Sequence, residues 1–165
     1  MNIRLANKND IEDINNLFKK VVKDMKTKKI EMWNYYYPFC EFEKDINSNT
    51  MYIIQENNKI IGAFVLNDFE SSDFNSIEWT INNEKWTSIN RFAISPEMQG
   101  KGYAKKSMKV IEEITKKNGY KVIRLTVWEK NEIAIQLYET CGFKKVTNGS
   151  YRTNDMLFIG YEKQI

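Results

Sequence analysis

A turn with two glycines, set between a predicted strand and a predicted helix, is the feature that most constrains how this chain can fold. It reads Gln99-Gly100-Lys101-Gly102-Tyr103-Ala104 and follows the apolar run 89–94. After it, Met108, Ile111 and Ile114 recur at helical spacing. Glycine allows positive φ and close approach of a ligand, and the amides of a first helical turn have no carbonyl partner within the helix. The segment therefore predicts a phosphate site at the start of a helix.

The turn alone does not identify a ligand, because glycine also serves in ordinary structural turns. It lacks the Gly-Lys-Ser/Thr ending of a Walker loop and the third glycine of a dinucleotide fingerprint. A nucleoside-triphosphate-binding protein is therefore disfavoured, while a purely structural turn stays an alternative.

The second half of the stretch 88–143 narrows the interpretation. Residues 122–128 form a β-branched run with strand character, and Asn131 then begins a helix that Gly142 ends. Asn131, Ala134 and Tyr138 lie three and four residues apart, so they share one face of that helix. The sequence thus predicts a capping amide and a phenol on the same side of a helix that directly follows a strand.

Together these segments resemble the GNAT superfamily of acetyl-CoA-dependent N-acetyltransferases. The resemblance rests on Arg91-Phe92-Ala93-Ile94-Ser95-Pro96, on the glycine turn, and on Asn131 through Leu137-Tyr138-Glu139-Thr140-Cys141-Gly142-Phe143. It implies an α/β (α+β) fold with a mixed, mostly antiparallel central sheet of about six to seven strands flanked by helices. It also implies direct transfer of an acetyl group from acetyl-CoA, as co-substrate, to a primary amine of a small molecule or peptide, without a covalent enzyme intermediate.

The same resemblance implies a role for each part of the site. The main chain of residues 92–94 would bind the pantetheine arm, residues 100–105 would wrap the diphosphate, and Asn131 would bind near the thiol. Tyr138 would stand beside the sulfur as proton donor to the leaving thiolate; the alternative is an aromatic helix residue packed in the core. A phenol with a pKa of about 10 does not fully protonate a thiolate with a pKa of about 8.5, so we expect Tyr138 to act mainly as a hydrogen-bond donor. The cofactor-binding set is Phe92, Ala93, Ile94, Gln99, Gly100, Lys101, Gly102, Tyr103, Ala104, Lys105, Asn131 and Tyr138.

One position departs from the family pattern. Thr126 stands on the predicted strand where some relatives that modify protein N-termini carry a glutamate, so no general base is implied there. Glu78, in the polar segment 67–85, is the carboxylate we expect first as general base and substrate ligand. The alternative is an ordinary exposed glutamate. The expected apolar anchors of this segment are Phe69, Phe74, Ile77 and Trp79.

The aromatic run Met32-Trp33-Asn34-Tyr35-Tyr36-Tyr37-Pro38-Phe39 supplies a second candidate for the acceptor site. Trp33 and Tyr37 are its candidate substrate-binding residues, because π faces with a carboxylate from Glu41 or Asp45 suit a cationic amine. Packing over the core is the alternative, and the two interpretations have equal weight. Nearer the C-terminus, Tyr151 and Arg152 either contact substrate or belong to a surface turn.

The remaining elements are predicted scaffold. Asn7 and Asp10 have the spacing of a capping box before a helix over residues 11–27, which follows a strand at 2–6. Gly62 marks a bulge in a hairpin. The other predicted elements are a short helix at 41–46, the hairpin strands 51–55 and 59–66 around residues 56–58, a strand at 144–146 extended toward Gly149, a turn at 148–155 and a strand at 156–162.

Composition bounds the class of protein. A chain of 165 residues with 42% hydrophobic residues fits one domain over residues 1–165. No apolar run approaches the roughly 20 residues that span a bilayer, and the start lacks the apolar core of a secretion signal. Two cysteines suggest no disulfide framework, so we expect a cytoplasmic protein that binds no membrane.

Charge and the absence of histidine exclude further classes. A net charge of +3 from interspersed residues argues against nucleic acid as a partner. A chain without histidine has no Ser-His or Cys-His nucleophile pair, and we expect no metal. A homodimer and the identity of the amine stay open. The alternative function is a non-catalytic acyl-CoA-binding sensor or regulatory module, which would share the phosphate turn and would not need Tyr138.

Overall fold

The structure is a computed structural model, and it describes residues 1–69 and 71–165. Over these residues the chain forms seven strands and five helices. The strands are β1 (Asn2–Leu5), β2 (Met51–Glu56), β3 (Lys59–Asn67), β4 (Trp86–Ile94), β5 (Val122–Trp128), β6 (Lys144–Thr153) and β7 (Met156–Gln164). The helices are α1 (Ile11–Thr27), α2 (Phe42–Asn47), α3 (Ser72–Asn75), α4 (Tyr103–Lys117) and α5 (Glu132–Thr140).

The strands join in one sheet with the order β1-β2-β3-β4-β5-β7-β6. The pairs β1–β2, β2–β3, β5–β7 and β6–β7 are antiparallel, and β4–β5 is parallel. The predicted fold, a mixed and mostly antiparallel sheet with flanking helices, is thus confirmed. By Cα packing the chain separates into a first unit, residues 1–66 with 90–107, and a second unit, residues 67–89 with 108–165. The prediction of a single domain over residues 1–165 stays a prediction.

The first unit is built on an apolar cluster to which α1, α2, β2 and β3 contribute. The predicted capping box is present, and the Asn7 N–H donates to Asp10 Oδ2 at 2.8 Å. Asn57 and Asn58 adopt φ of 49° and 61° in the two-residue turn between β2 and β3, as this tight hairpin requires. The β2–β3 register shifts opposite Gly62, which confirms the predicted bulge. The buried cluster residues are Ala6, Ile14, Leu17, Phe18, Val21, Phe42, Ile46, Met51, Ile53, Ala63, Val65 and Ala93.

The second unit contains the ladder of β5, β7 and β6, with an irregularity in β6. Lys145 pairs with Tyr161 and Ser150 pairs with Ile159, so residues 146–149 face the single residue Gly160. The predicted turn at 148–155 is therefore wrong. The turn consists of Asn154 and Asp155, with φ of 46° and 61°, and Asn148-Gly149 belongs to the bulge. Turn-forming residues also occur in bulges, so composition alone did not separate the two cases.

The polar segment 67–85 of the second unit is held by its own small apolar cluster. Ser71 caps α3, and Phe74, Ile77 and Trp79 pack with Val146. Three of the four predicted anchors are thus confirmed. The prediction for Phe69 as an apolar anchor is wrong, because its side chain is 68% exposed. Among residues 1–69 and 71–165, no helix combines the length and the apolar character that crossing a membrane needs.

Candidate active site

The glycine turn leads into α4 in the conformation that the sequence predicts. Gly100 and Gly102 adopt φ of +73° and +80°. A Cβ built on either glycine would meet no atom within 4 Å, so the glycines are needed for their backbone angles and the space beside them is open. The Lys106 N–H donates to the Gly102 carbonyl at 3.0 Å, and the amides of residues 103–105 precede this first α-helical bond. These amides, at the positive end of the α4 dipole, suit an anion.

The side chain of Gln99 links the turn to the rest of the first unit by two hydrogen bonds. Its Nε2 donates to the Ile94 carbonyl at 3.1 Å, and its Oε1 accepts from Lys28 Nζ at 2.9 Å. Both ends of the Gln99 amide are therefore occupied by protein groups. These contacts hold the turn against the end of β4, and the cofactor-binding role of Gln99 stays a prediction.

Of three side chains in the turn, two are exposed to solvent and one is directed toward the protein. Lys101 and Lys105 are exposed, so both ammonium groups can approach an anion bound at the helix start. The Tyr103 phenol is directed toward the Glu56 carboxylate, and burial followed by that charge raises its pKa. Tyr103 therefore offers a backbone amide to a ligand, while its ring packs against the protein.

Residues 92–94 of β4, predicted to bind pantetheine, lie close to β3 within the first unit. A Cβ on Gly62 would come within 2.7 Å of the Ala93 carbonyl oxygen, so only glycine fits there. The Ser95 N–H donates to the Ile61 carbonyl at 2.7 Å, and the Phe92 ring lies 6.4 Å from that of Phe64. The position of this part of β4 is thus fixed by close backbone contact.

In the second unit, Asn131 and Tyr138 belong to α5. Asn131 Oδ1 accepts from the Ala134 N–H at 3.2 Å, which confirms the predicted cap. Tyr138 is 8% exposed, and its ring packs edge-on against Phe143 with 5.7 Å between centroids. Gly142 ends the helix with φ of +85°.

The environment of Tyr138 keeps its phenol protonated. Burial raises the pKa of Tyr138 well above its ordinary value of about 10, and the Cys141 thiol adds to the shift. Within residues 1–69 and 71–165 no hydrogen bond acts on this hydroxyl. A protonated phenol without a protein acceptor can donate its hydrogen bond to a ligand.

Thr126, at the position where some relatives carry a glutamate, is partly buried on β5. Its Oγ1 lies 3.4 Å from the Tyr151 hydroxyl, and either oxygen can be the donor. Tyr151 lies in β6 and is half-buried, and Arg152 beside it is exposed. Tyr151 is therefore a strand residue that bonds to β5, contrary to its expected place in a surface turn.

The aromatic run 32–39 divides between core and surface. Trp33 packs on Phe18, with 5.5 Å between ring centroids, which favours the packing interpretation for Trp33. Tyr35 and Tyr36 are 69% and 74% exposed. The Tyr37 hydroxyl accepts from Arg91 Nη1 at 3.3 Å. Exposed rings thus remain available to a cation at residues 35 and 36, next to the candidate Tyr37.

Asp45, a carboxylate considered for the amine, is occupied by Arg91. Arg91 Nε and Nη2 donate to Asp45 Oδ2 and Oδ1 at 2.9 and 2.8 Å. Burial would lower the pKa of the Arg91 guanidinium, but the charge of Asp45 and the Tyr37 hydroxyl outweigh it and hold that pKa above its ordinary value. Asp45 is therefore unavailable as the partner of a substrate amine.

Glu78 lies in a segment that protein contacts fix at almost every residue, which we name the anchored loop (residues 77–82). Glu78 is exposed, and its Oε2 accepts from Asn148 Nδ2 at 3.3 Å. Ile77 fills the space that side chains would otherwise occupy at two glycines, since a Cβ at Gly149 or Gly160 would lie 3.1 or 3.2 Å from it. The β6 bulge therefore contacts Glu78 through Asn148 and the preceding Ile77 through Gly149.

Two buried charges hold the other end of the anchored loop. The Glu162 carboxylate accepts from the Thr80 and Ile81 amides at 3.1 and 3.3 Å. Arg124 Nη2 donates to the Ile81 carbonyl at 2.6 Å, and its guanidinium lies between the rings of Trp79 and Trp86, 4.8 and 4.9 Å from their centroids. Arg124 and Glu162 face each other in the β5–β7 register. The anchored loop is thus held from two adjacent strands. The Glu162 carboxylate accepts from two of its amides, and the Arg124 guanidinium donates to one of its carbonyls.

Comparison with known proteins agrees with this geometry. Residues 14–143, more than half of the chain, match the model of the acetyltransferase (GNAT) family. The chain belongs to this family. The resemblance read from the glycine turn and the residues after Asn131 is therefore confirmed, and an acetyltransferase is the enzyme class. No curated protein matches this GNAT protein in sequence.

Solved structures similar to this GNAT protein cover nearly all of it. A protein from Staphylococcus aureus Mu50, assigned as an acetyltransferase, is 29% identical over 98% of this chain and 97% of its own, with a TM-score of 0.74. A GNAT-family acetyltransferase from Streptococcus agalactiae 2603 is 19% identical over 99% and 95%, with a TM-score of 0.81. The PaiA N-acetyltransferase from Thermoplasma acidophilum, solved in complex with coenzyme A, is 21% identical over 99% and 98%, with a TM-score of 0.71. The last two similarities concern the fold alone.

Sequence reasoning missed Arg124 and Glu162 of this GNAT protein, and it named Arg91 and Asp45 without recognising that they pair with each other. A signal existed for two of them. Arg91 interrupts the apolar run 89–94, and Arg124 interrupts the run 122–128. A charge inside a predicted buried strand requires a partner, so each arginine predicted a compensating group. The sequence did not identify that group, because Asp45 lies 46 positions from Arg91 and Glu162 lies on another strand.

Proposed function

We propose that this GNAT protein is an N-acetyltransferase that uses acetyl-CoA and transfers the acetyl group directly to a primary amine of a small molecule or peptide. The observation that carries the proposal is the glycine turn, in which two left-handed glycines border open space at the start of α4. Backbone amides in that conformation suit a diphosphate. The coenzyme A in the PaiA structure supports the same choice of cofactor.

The turn would bind the diphosphate through its amides, with Lys101 and Lys105 adding positive charge and Gln99 holding the turn in place. Residues 92–94 would bind the pantetheine arm through their main chain, and Asn131 would bind near the thiol. Apart from the exposed Lys101 and Lys105, this set consists of backbone groups and of side chains in contact with the protein, and such groups favour preorganised binding. No metal is part of the proposal.

Tyr138 would donate a hydrogen bond to the sulfur as the thioester breaks. Even an unshifted phenol, with a pKa of about 10, holds its proton about 2 kcal/mol more tightly than a thiolate of pKa about 8.5 accepts it. The raised pKa of Tyr138 increases that difference. The residue would therefore stabilise the developing negative charge, and the proton would reach the thiolate late or from water.

The amine must lose its proton before it attacks. An amine with a pKa of about 10.4 is only about 0.04% neutral at pH 7, a penalty of roughly 4.6 kcal/mol. We propose Glu78 as the group that binds the cationic acceptor and takes this proton, directly or through a water. Its fixed position on the anchored loop supports the assignment, and Trp33 and Tyr37 stay candidates for further contacts with the acceptor.

The decisive experiment measures release of free CoA thiol from acetyl-CoA with a panel of acceptors. The panel contains a polyamine, an amino acid, an aminoglycoside and a peptide with a free N-terminus, each paired with its N-blocked form. We expect at least one amine, and none of the blocked forms, to accelerate thiol release. Coenzyme A binding without acceleration by any amine would instead support the non-catalytic acyl-CoA-binding module.

The variant Tyr138→Phe tests the proposed chemistry. A hydrogen bond to a charged atom contributes about 1.5–3 kcal/mol, so turnover should fall by about tenfold to 150-fold while the Kd for acetyl-CoA changes little. The ring contact with Phe143 is kept and no protein hydrogen bond is lost, so the free energy of unfolding should change by less than about 1 kcal/mol. Unchanged turnover would remove Tyr138 from the mechanism.

A further inference from the structure

Arg91 has a backbone conformation that its side chain does not favour. It lies within β4, directly before residues 92–94, and its φ is +50°. A residue other than glycine, asparagine or aspartate rarely adopts positive φ, because its Cβ then lies too close to the backbone. Where such a residue occurs, the surrounding structure must hold it there. A left-handed residue inside a strand also changes the direction of the groups that follow, as in a bulge.

The contacts that hold Arg91 are unusually complete. Its guanidinium forms the two parallel hydrogen bonds to Asp45 described above, and a third to the Tyr37 hydroxyl. The side chains of Arg91 and Asp45 are only 10% and 6% exposed. Asp45 is itself fixed, because its carbonyl accepts from the Thr50 N–H and the Thr50 Oγ1 at 3.0 and 3.1 Å. The planar fork of an arginine on a carboxylate permits one orientation, so the pair fixes direction as well as distance.

We propose that Arg91 and Asp45 are positioning residues for the cofactor: their ion pair holds the left-handed step in β4 and thereby sets the direction of the main-chain groups of residues 92–94. The proposal rests on the proposed function, which assigns these groups to the pantetheine arm. In this role the guanidinium does not touch acetyl-CoA. It stabilises the backbone conformation that the cofactor requires.

A second ion pair in the same unit supplies a matched control. Arg4 Nη1 and Nη2 donate to Asp10 Oδ2 and Oδ1, both at 2.8 Å, so the chemistry of the two pairs is the same. Arg4 lies in β1, and its φ is not positive. Removing the Arg4 pair therefore removes a bidentate ion pair without removing the support of a left-handed residue.

The test compares alanine and glycine at both arginines. Arg91→Ala and Arg91→Gly remove the same ion pair, but only glycine adopts positive φ without a Cβ penalty. By calorimetry we expect Arg91→Ala to raise the Kd for acetyl-CoA at least about tenfold and Arg91→Gly to keep it within about threefold of the parent protein. Both variants should have a lower Tm. Arg4→Ala and Arg4→Gly should lower the Tm and leave the Kd within about threefold, with no advantage for glycine.

Three outcomes would overturn the proposal. Equal weakening by Arg91→Ala and Arg91→Gly would mean that the guanidinium acts directly or through its charge. An unchanged Kd in both would mean that the pair only stabilises the fold. Rescue by glycine at residue 4 as well would mean that the effect is general. A parent protein that binds no acetyl-CoA at all would instead refute the proposed function.

Asp45→Asn keeps the test decisive if Arg91→Ala does not fold. Alone, Asp45→Asn should raise the Kd for acetyl-CoA at least about threefold, because it weakens the support of the left-handed step. Added to Arg91→Gly, it should cause no further loss, since glycine no longer needs that support. Equal effects of Asp45→Asn in the two backgrounds would contradict the proposed role.

Discussion

Gly102 and Gly119 allow a direct comparison, because they lie at opposite ends of α4 in nearly the same environment. Their φ values are +80° and +79°, and a Cβ on either would meet no atom within 4 Å. Alanine at each position should therefore be equally unfavourable for the fold, at about 1 kcal/mol, through the left-handed conformation alone. For a chain of this size that corresponds to a fall in Tm of about 2–4 °C.

The two substitutions should differ in their effect on the cofactor. Gly102 belongs to the turn assigned to the diphosphate, whereas Gly119 ends the helix by donating its N–H to the Lys116 carbonyl at 2.9 Å. If Gly102→Ala misdirects one amide that bonds to the diphosphate, about 1.5–3 kcal/mol of binding is lost and the Kd for acetyl-CoA rises about tenfold to 150-fold. Gly119→Ala should leave that Kd unchanged.

The assay combines thermal unfolding with calorimetric titration of acetyl-CoA for both variants. Equal losses of Tm with unequal losses of affinity would support the assignment of the turn. Equal losses of affinity would show that stability alone controls binding, and no loss in Gly102→Ala would place the diphosphate away from this turn. Either of these last two results would refute the reasoning from the glycine conformation.

Three further predictions concern the second unit. Gly160→Ala should destabilise the fold by about 1–3 kcal/mol in a denaturant titration, because the new Cβ would lie 3.2 Å from Ile77; adding Ile77→Ala should cost less than the sum of the single changes, and strict additivity would mean that the two do not meet. Glu162→Gln should cost about 1.5–3 kcal/mol, since both loop amides lose a charged acceptor and one of them faces an NH2 group that cannot accept, and an unchanged midpoint would contradict these contacts. The pKa of Tyr138 is raised in the folded state, so its contribution to stability is complete below about pH 10 and is lost as the pH rises above that value; Tyr138→Phe should lack this part of the alkaline loss in Tm, and identical alkaline profiles would disprove the shift.

Elements defined by local sequence could be predicted, because their determinants lie within a few residues. The apolar spacing predicts the helix 11–27, and the Asn7–Asp10 capping box predicts where it starts. The Asn57-Asn58 turn predicts the hairpin of β2 and β3. The same holds for the glycine turn and for the cap at Asn131, where side-chain type and backbone angle are directly linked.

Elements defined by distant partners could not be predicted. Asn148-Gly149 has the composition of a turn, and only pairing with β7 makes it a bulge opposite Gly160. Phe69 and Phe74 have the same side chain, and only the position of Ile77 and Val146 decides which of them is buried. The sequence indicates that an apolar side chain must be buried and that a turn-forming pair must lie outside a regular strand. The register of the strands determines which neighbours these residues contact.

In this protein the proposed cofactor contacts are mostly made by the backbone and the proposed acceptor contacts by side chains. This difference affects how selectivity for the amine would arise. The proposed cofactor contacts are mostly main-chain amides at the glycine turn and along residues 92–94, and such contacts depend on backbone angles more than on side-chain identity. The proposed acceptor contact in the second unit is a side chain, that of Glu78 on the anchored loop. Buried Arg124 and Glu162 hold that loop through its backbone, so the side chain at residue 78 adds only one exposed hydrogen bond, from Asn148, to its support. Glu78→Gln should therefore lower turnover with every accepted amine, because the proposed base is lost, while the Kd for acetyl-CoA stays unchanged, and a change at Arg124 or Glu162 should first alter stability.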